Sequence, residues 1–108
     1  MKAWILPKIG SIDNLSLADV PAPTAAAGEV VLRVKLAALN PADRYLAEGM
    51  YPARPALPHI LGRDALGTVD SVGDGVTDWA VGDSAILVRS EVGVNRPGSL
   101  AEFVAVPA

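Results

Sequence analysis

Residue types that usually carry catalysis are scarce in this chain. It has no cysteine and a single histidine, His59. Catalytic zinc generally takes His and Cys ligands with a carboxylate as the third possibility, so that ligand set is missing. No serine lies in a nucleophile-elbow pattern, and His59 is the only imidazole base. The glycines form no GxGxxG motif after a strand, so no dinucleotide fingerprint is present. We interpret His59, between Pro58 and Ile60, as a loop histidine.

Length, charge and hydropathy narrow the class of protein further. A chain of 108 residues predicts one domain, 1–108, because a second core forms only in much longer chains. The net charge is -3 and the nine basic residues are scattered singly, which disfavours a nucleic-acid partner. No stretch approaches the roughly 20 apolar residues of a membrane span, so no membrane partner is expected. The lack of cysteine fits a cytoplasmic location.

Short apolar segments separated by Gly and Pro predict a mainly β fold. The clearest strand is 29–39, where Val30, Leu32, Val34 and Leu36 alternate with other residues and are expected to share one face. Many short strands with frequent turns favour a sandwich or a barrel, and a barrel leaves fewer free edges. Further strands are predicted at 2–6, 15–20, 65–72, 84–88 and 100–106.

One segment carries helix signals at both ends. Asn40 is a good N-cap, Pro41 suits the first helical position, and Asp43 places negative charge in the first turn. Gly49 can adopt the left-handed conformation that ends a helix. The spacing therefore predicts a helix of about two turns after the longest strand. The proline-rich segment 51–59 that follows is expected to be extended rather than regularly paired.

Together these motifs carry a family resemblance over essentially the whole chain. The sequence resembles the N-terminal domain of medium-chain dehydrogenases/reductases, and most of all the zinc-independent, zeta-crystallin-like quinone oxidoreductases. That resemblance implies a GroES-like, partly open β-barrel with one or two short helices. The matching motifs are NPADRY at 40–45, YP at 51–52, PHILGRDALGTV at 58–69, VGDGVTDWAVGD at 72–83 and GSLAEFV at 98–104.

The departures from the zinc-dependent branch are informative. Zinc-dependent members have a cysteine ligand where Asn40 stands and a His-Glu pair where Arg63 and Asp64 stand. Many also carry a four-cysteine structural loop, which a chain without cysteine lacks. The resemblance therefore implies no zinc, NADPH as hydride donor, and a quinone or another activated carbonyl or alkene as the small-molecule substrate.

Site residues follow from the resemblance position by position. Asn40 and Tyr45 are implied as catalytic residues that orient the substrate and adjoin the nicotinamide. Each also has a structural alternative: Asn40 as a helix cap alone, and Tyr45 as a ring packed on the surface. Asp43 equally fits a helix charge. The substrate-cleft residues implied by the resemblance are Asp43, Met50, Tyr51, Arg63 and Asp64.

The resemblance also implies a partner. In the family this domain is followed by a Rossmann domain that holds the cofactor, and we expect that domain to be absent here and the isolated chain to be inactive. The full-length parent is expected to be a homodimer or homotetramer. Two alternatives remain open at this point: a GroES-like interaction or co-chaperonin module, and an enoyl-thioester reductase domain. Fold analogy alone supports the first of these.

Overall fold

Two antiparallel sheets and one short α-helix make up the part of the chain that the structure describes. A computed structural model describes residues 1–88 and 91–108. The elements are β1 (Lys2–Leu6), a 3-10 turn (Ile12–Asn14), β2 (Ser16–Asp19), β3 (Glu29–Ala37), α1 (Pro41–Glu48), β4 (His59–Ile60), β5 (Ala65–Val72), β6 (Ser84–Leu87) and β7 (Phe103–Pro107). The prediction of a mainly β chain with one or two short helices is confirmed.

The two sheets lie against each other without closing into a barrel. One has the strand order β2-β1-β4 and the other the order β6-β5-β3-β7. They meet where the Trp4 N–H donates to the Leu100 carbonyl at 2.9 Å, next to a bridge between Ala3 and Ala101. This architecture agrees with the partly open, GroES-like arrangement that the resemblance implied. The main core cluster fills the inner face of the four-stranded sheet: Val30, Leu32, Ala65, Val69, Ala85, Leu87, Val92, Val104 and Val106.

Strand β3 departs from the simple alternation that the sequence predicted. Its register against β5 shifts between Val31 and Leu32 and again between Val34 and Leu36. A bulge inserts an extra residue and changes which face the following side chains occupy. The second shift adds Lys35 to β3, so Leu36 is 68% exposed instead of sharing the buried face of Val30 and Leu32. The prediction that Leu36 belongs to the core face was wrong for this reason.

The predicted helix forms as α1, directly after β3. Asn40 precedes it in an extended conformation, Pro41 is its first residue, and Gly49 ends it with a φ of 82°. Leu46 and Ala47 form its buried stripe and pack with Leu6, Leu61 and Val94. The helix is fixed against the three-stranded sheet by this second apolar cluster, which sets the position of its N-terminus.

His59 is a core residue, so the interpretation of a loop histidine was wrong. Residues 59 and 60 pair with β1, opposite Leu6 and Ile5. The ring of His59 is 2% exposed, and its Nε2 lies 2.9 Å from the Gly93 carbonyl oxygen. The prolines before His59 restrict the backbone only as far as residue 58. Burial of the two apolar residues that follow His59 favours strand pairing there and outweighs the preference of the proline-rich segment for a loop.

Burial also shifts the titration of His59. Desolvation lowers the pKa of the ring below 6.5, although the bond to the Gly93 carbonyl and the charge of Asp43 act in the opposite direction. The folded state therefore binds a proton less readily than the unfolded chain.

We expect the free energy of unfolding to fall as the pH is lowered from about 7.5 to about 5.5. Below pH 6.5 the histidine of the unfolded chain is protonated, whereas the buried ring of His59 in the folded state stays neutral. The free energy of unfolding then falls by at most about 1.4 kcal/mol per pH unit. Urea denaturation at both pH values measures the difference.

The variant His59→Gln is the control, because glutamine can donate to the Gly93 carbonyl but does not titrate. Its stability should change much less over this interval. Glu29, whose pKa is lowered below 4.5 first by the bond from Arg96, titrates outside the interval. An equal slope in the variant and the natural sequence would contradict the assignment to His59.

Candidate functional site

A small cleft lies at the N-terminal end of α1. Its walls come from the start of the helix, from the proline-rich loop and from the segment between β4 and β5. Its volume is about 360 Å³, which is within the range of small-ligand pockets. The lining residues are Asn40, Pro41, Ala42, Tyr51, Arg63 and Asp64.

Asn40 and Asp64 meet at the floor of this cleft. The Asn40 side-chain amide donates to the Asp64 carboxylate at 2.7 Å. Strand pairing explains the contact, because the register between β3 and β5 places Ala37 opposite Ala65, and the residues just beyond both strand ends come together. Ser99 fixes the Asp64 backbone by donating its hydroxyl to the carbonyl at 3.0 Å.

Asp43 lies beneath the cleft and ties its two walls together. Its side chain is buried, and one carboxylate oxygen accepts the Asn40 N–H at 3.0 Å. The other oxygen accepts the Gly62 N–H at 3.1 Å. The carboxylate also adds negative charge to the first turn of α1, where the helix dipole favours it. One buried group therefore fixes the distance between the helix start and the segment that carries Arg63 and Asp64.

Tyr51 and Arg63 form the polar wall of the cleft. The Arg63 guanidinium donates to the Tyr51 hydroxyl at 3.2 Å, and its central carbon lies 5.8 Å from the ring centroid. The Arg63 Nε atom is buried and has no hydrogen-bond partner among the described residues. Arg54 holds the loop from the other side by donating to the backbone carbonyls of Tyr51 and Ala53.

The structure brings together only part of the predicted set. Tyr45 is 47% exposed on the outer side of α1 and Met50 is 70% exposed, and neither lines the cleft. Asp43 is a buried support under the cleft, and its alternative interpretation as a helix charge is compatible with that position. The roles implied for Tyr45 and Met50 stay predictions. The predicted residues that converge are Asn40, Tyr51, Arg63 and Asp64.

Ser99 is a supporting residue to which the sequence analysis assigned no role at the site. It is buried, and its hydroxyl bonds to the Asp64 backbone. Its only sequence signal is membership of the GSLAEFV motif, since an isolated serine carries no indication of its partner.

Neither a metal-binding cluster nor a membrane-spanning helix is present in residues 1–88 and 91–108. No group of three or more His, Cys, Asp or Glu side chains there is arranged to hold a metal ion. No helix in the same ranges is long and apolar enough to cross a membrane.

The sequence and the fold match one class of protein domain. Residues 26–108 match the alcohol dehydrogenase GroES-like domain, and the chain belongs to that family. Among solved structures, an NAD-dependent alcohol dehydrogenase superposes with a TM-score of 0.90 at 32% identity, covering 99% of this chain and 37% of that one.

The names of two curated relatives state a particular activity. The chain is 37% identical to the NADPH-dependent alkenal/one oxidoreductase of Arabidopsis thaliana chloroplasts, over 98% of this chain and 29% of the relative. It is 36% identical to the quinone oxidoreductase of Rattus norvegicus, over 77% of this chain and 26% of the relative. The chain thus spans well under half the length of each of these three proteins.

Replacing Asp43 with asparagine should destabilise the fold by about 1–3 kcal/mol. An amide has one acceptor oxygen where the carboxylate has two, so either the Asn40 or the Gly62 N–H would face an NH₂ group. Urea denaturation measures the change in the free energy of unfolding.

Asp78→Asn is the matched control, because Asp78 is an exposed carboxylate in the loop between β5 and β6. It should change stability by less than about 0.5 kcal/mol. Equal effects of the two variants would show that the Asp43 bridge does not hold the cleft together.

Proposed function

We propose that this chain is the substrate-side domain of an NADPH-dependent oxidoreductase that reduces quinones or related activated carbonyls and alkenes. The observation that carries the proposal is the convergence of Asn40, Tyr51, Arg63 and Asp64 on one cleft, in a chain of the alcohol dehydrogenase GroES-like family. The activities of the two curated relatives, alkenal/one reduction and quinone reduction, support the substrate class.

The polar wall suits a substrate oxygen that gains negative charge. Reduction of a quinone or of a conjugated carbonyl places charge on oxygen, and preorganised donors stabilise it best in a dry site. The Tyr51 hydroxyl accepts from Arg63, which leaves its own proton available to donate towards the cleft. The guanidinium adds a fixed positive charge beside it, which strengthens that donor.

The residues present fit the reacting end of the cofactor. NADPH supplies a hydride when it is bound. The Asn40 side chain carries both a hydrogen-bond donor and an acceptor, and the carboxamide of a nicotinamide ring can pair with both kinds of group. The bond to Asp64 fixes the orientation of the Asn40 side chain. We assign the rest of the dinucleotide to a Rossmann domain of the parent protein outside these 108 residues.

We also propose that the parent works without zinc at this site. The donor set supports this, because a carboxamide is a poor zinc ligand beside thiolate and imidazole, and the Asp64 carboxylate is already bonded to that carboxamide. By the family resemblance, Asn40 occupies the position of a cysteine ligand of the zinc-dependent branch. Arg63 and Asp64 occupy the positions of its His-Glu pair. The proposal includes a cytoplasmic, dimeric or tetrameric parent.

The decisive assay compares the parent protein with the isolated chain. The purified parent should oxidise NADPH in the presence of quinones or α,β-unsaturated carbonyls, with less than one zinc ion bound per protomer by elemental analysis. The 108-residue chain alone should give no turnover. Turnover by the isolated chain would overturn the assignment of the cofactor site to another domain, and preference for enoyl thioesters would move the parent to that reductase class.

In the parent, Tyr51→Phe should lower kcat/KM for a quinone by roughly tenfold to a hundredfold at an unchanged melting temperature, because it removes a donor aimed at the developing oxyanion. Tyr45→Phe tests the second phenol, which the resemblance implicates but which does not line the cleft. Trp4→Phe, at an exposed aromatic of β1, is the control and should leave kcat/KM unchanged. A loss confined to Tyr45→Phe would transfer the donor role to Tyr45.

A further inference from the structure

Among the arginines that the structure describes, only Arg63 has neither a carboxylate nor a backbone carbonyl as a partner. The others form ion pairs or bond to the backbone: Arg33 with Asp70, Arg44 with Glu48, Arg96 with Glu29, and Arg54 with the carbonyls of Tyr51 and Ala53. The Arg63 guanidinium donates only to the neutral Tyr51 hydroxyl. A guanidinium carries several N–H donors in a rigid fork, so most of those of Arg63 have no acceptor in the described part of the chain.

The carboxylates near the cleft are bonded elsewhere. Asp64 follows Arg63 in the sequence, but its carboxylate accepts from the Asn40 side chain, and it forms no ion pair among the described residues. Asp43, beneath the cleft, accepts two backbone N–H groups. Each of these carboxylates therefore receives donors from the protein, whereas the guanidinium lacks acceptors.

The position of Arg63 gives this lack of acceptors its significance. The side chain lines the cleft of about 360 Å³, and its Nε atom is buried without a partner among the described residues. An exposed arginine can bond to water, but a donor removed from water without an acceptor costs free energy. Such a group at the wall of a ligand-sized cleft indicates that a bound molecule supplies acceptors for the guanidinium.

We propose that Arg63 anchors a carboxylate of the substrate, so that the parent prefers activated carbonyl compounds that also carry a carboxylate group. This inference rests on the proposed function and narrows its substrate class. A planar carboxylate matches the guanidinium fork, which can bond to both of its oxygens at once. The bond to Tyr51 uses only one N–H, so a carboxylate on the remaining N–H groups lies beside the Tyr51 hydroxyl and leaves it to the reacting oxygen.

Binding of a saturated keto acid to the full-length parent tests the anchor without turnover. Levulinate carries a ketone and a carboxylate, and methyl levulinate differs only in having that carboxylate masked as an ester. Calorimetric titration, with and without added NADP⁺, should give a Kd for levulinate roughly tenfold to a hundredfold below that for the ester. Equal affinities for the two compounds under both conditions would overturn the proposal, and this comparison needs no variant.

Three variants of the parent locate the preference. Arg63→Gln removes the charge and should make the two affinities nearly equal, whereas Arg63→Lys keeps the charge without the fork and should retain part of the preference. Arg44→Gln is the matched control, because Arg44 is an exposed arginine of α1 that does not line the cleft, and it should keep the full preference. Melting temperatures check that each variant is folded. A preference that survives in folded Arg63→Gln would overturn the assignment to Arg63.

Turnover separates this inference from the proposed function. The ratio of kcat/KM for acetylacrylate to that for its methyl ester should fall roughly tenfold to a hundredfold in Arg63→Gln and stay unchanged in Arg44→Gln. A raised KM for NADPH in Arg63→Gln at an unchanged ratio would assign the guanidinium to a phosphate of the cofactor and overturn the proposal.

The two proposals fail in different ways. A parent that binds levulinate through Arg63 but reduces neither quinones nor unsaturated carbonyls would refute the proposed function and leave the anchor intact. A parent that reduces neutral quinones but binds levulinate and its ester equally would refute the anchor and leave the proposed function intact.

Discussion

A single buried carboxylate joins the two walls of the cleft. Asp43 sits under the first turn of α1 and accepts one N–H from Asn40 and one from Gly62. The helix start and the segment between β4 and β5 are distant in sequence, and a backbone N–H buried without an acceptor is costly. Each wall therefore satisfies its backbone N–H only by staying close to the Asp43 carboxylate. The alignment of the Asn40 amide with Asp64 depends on that distance.

Close backbone packing supports the same segment from below. Gly62 has a φ of +105°, and its carbonyl accepts the Ser99 N–H at 3.0 Å. Side chains at Gly93 or Gly98 would overlap the backbone of residues 61 and 62. Glycine is required at this crossing because three chain segments approach within backbone contact. Arg63 and Asp64 are thus presented by a segment that has little freedom to move.

The sequence predicted the α-helix almost to the residue, because Pro41 at the first helical position and Gly49 in a left-handed turn act locally. It also predicted the strands, since apolar alternation is a local signal. It failed where a distant partner decides the outcome. The bulge between Val34 and Leu36 reverses the exposure of Leu36, and pairing with β1 places His59 in the core. Neither effect has a signature in the neighbouring residues.

The sequence by itself determined which residue types this domain lacks, and its motifs indicated the family to which it belongs. The lack of cysteine and the single histidine follow from the composition, and the family motifs follow from the order of the residues. Neither requires knowledge of the tertiary structure. Only the tertiary structure decided which of the implied residues share a site. Asn40 and Asp64 meet because β3 and β5 pair in one register, whereas Tyr45 is 47% exposed and is not among the residues that line the cleft. Contacts between residues distant in sequence depend on strand register and helix docking, and these are set by packing over the whole domain.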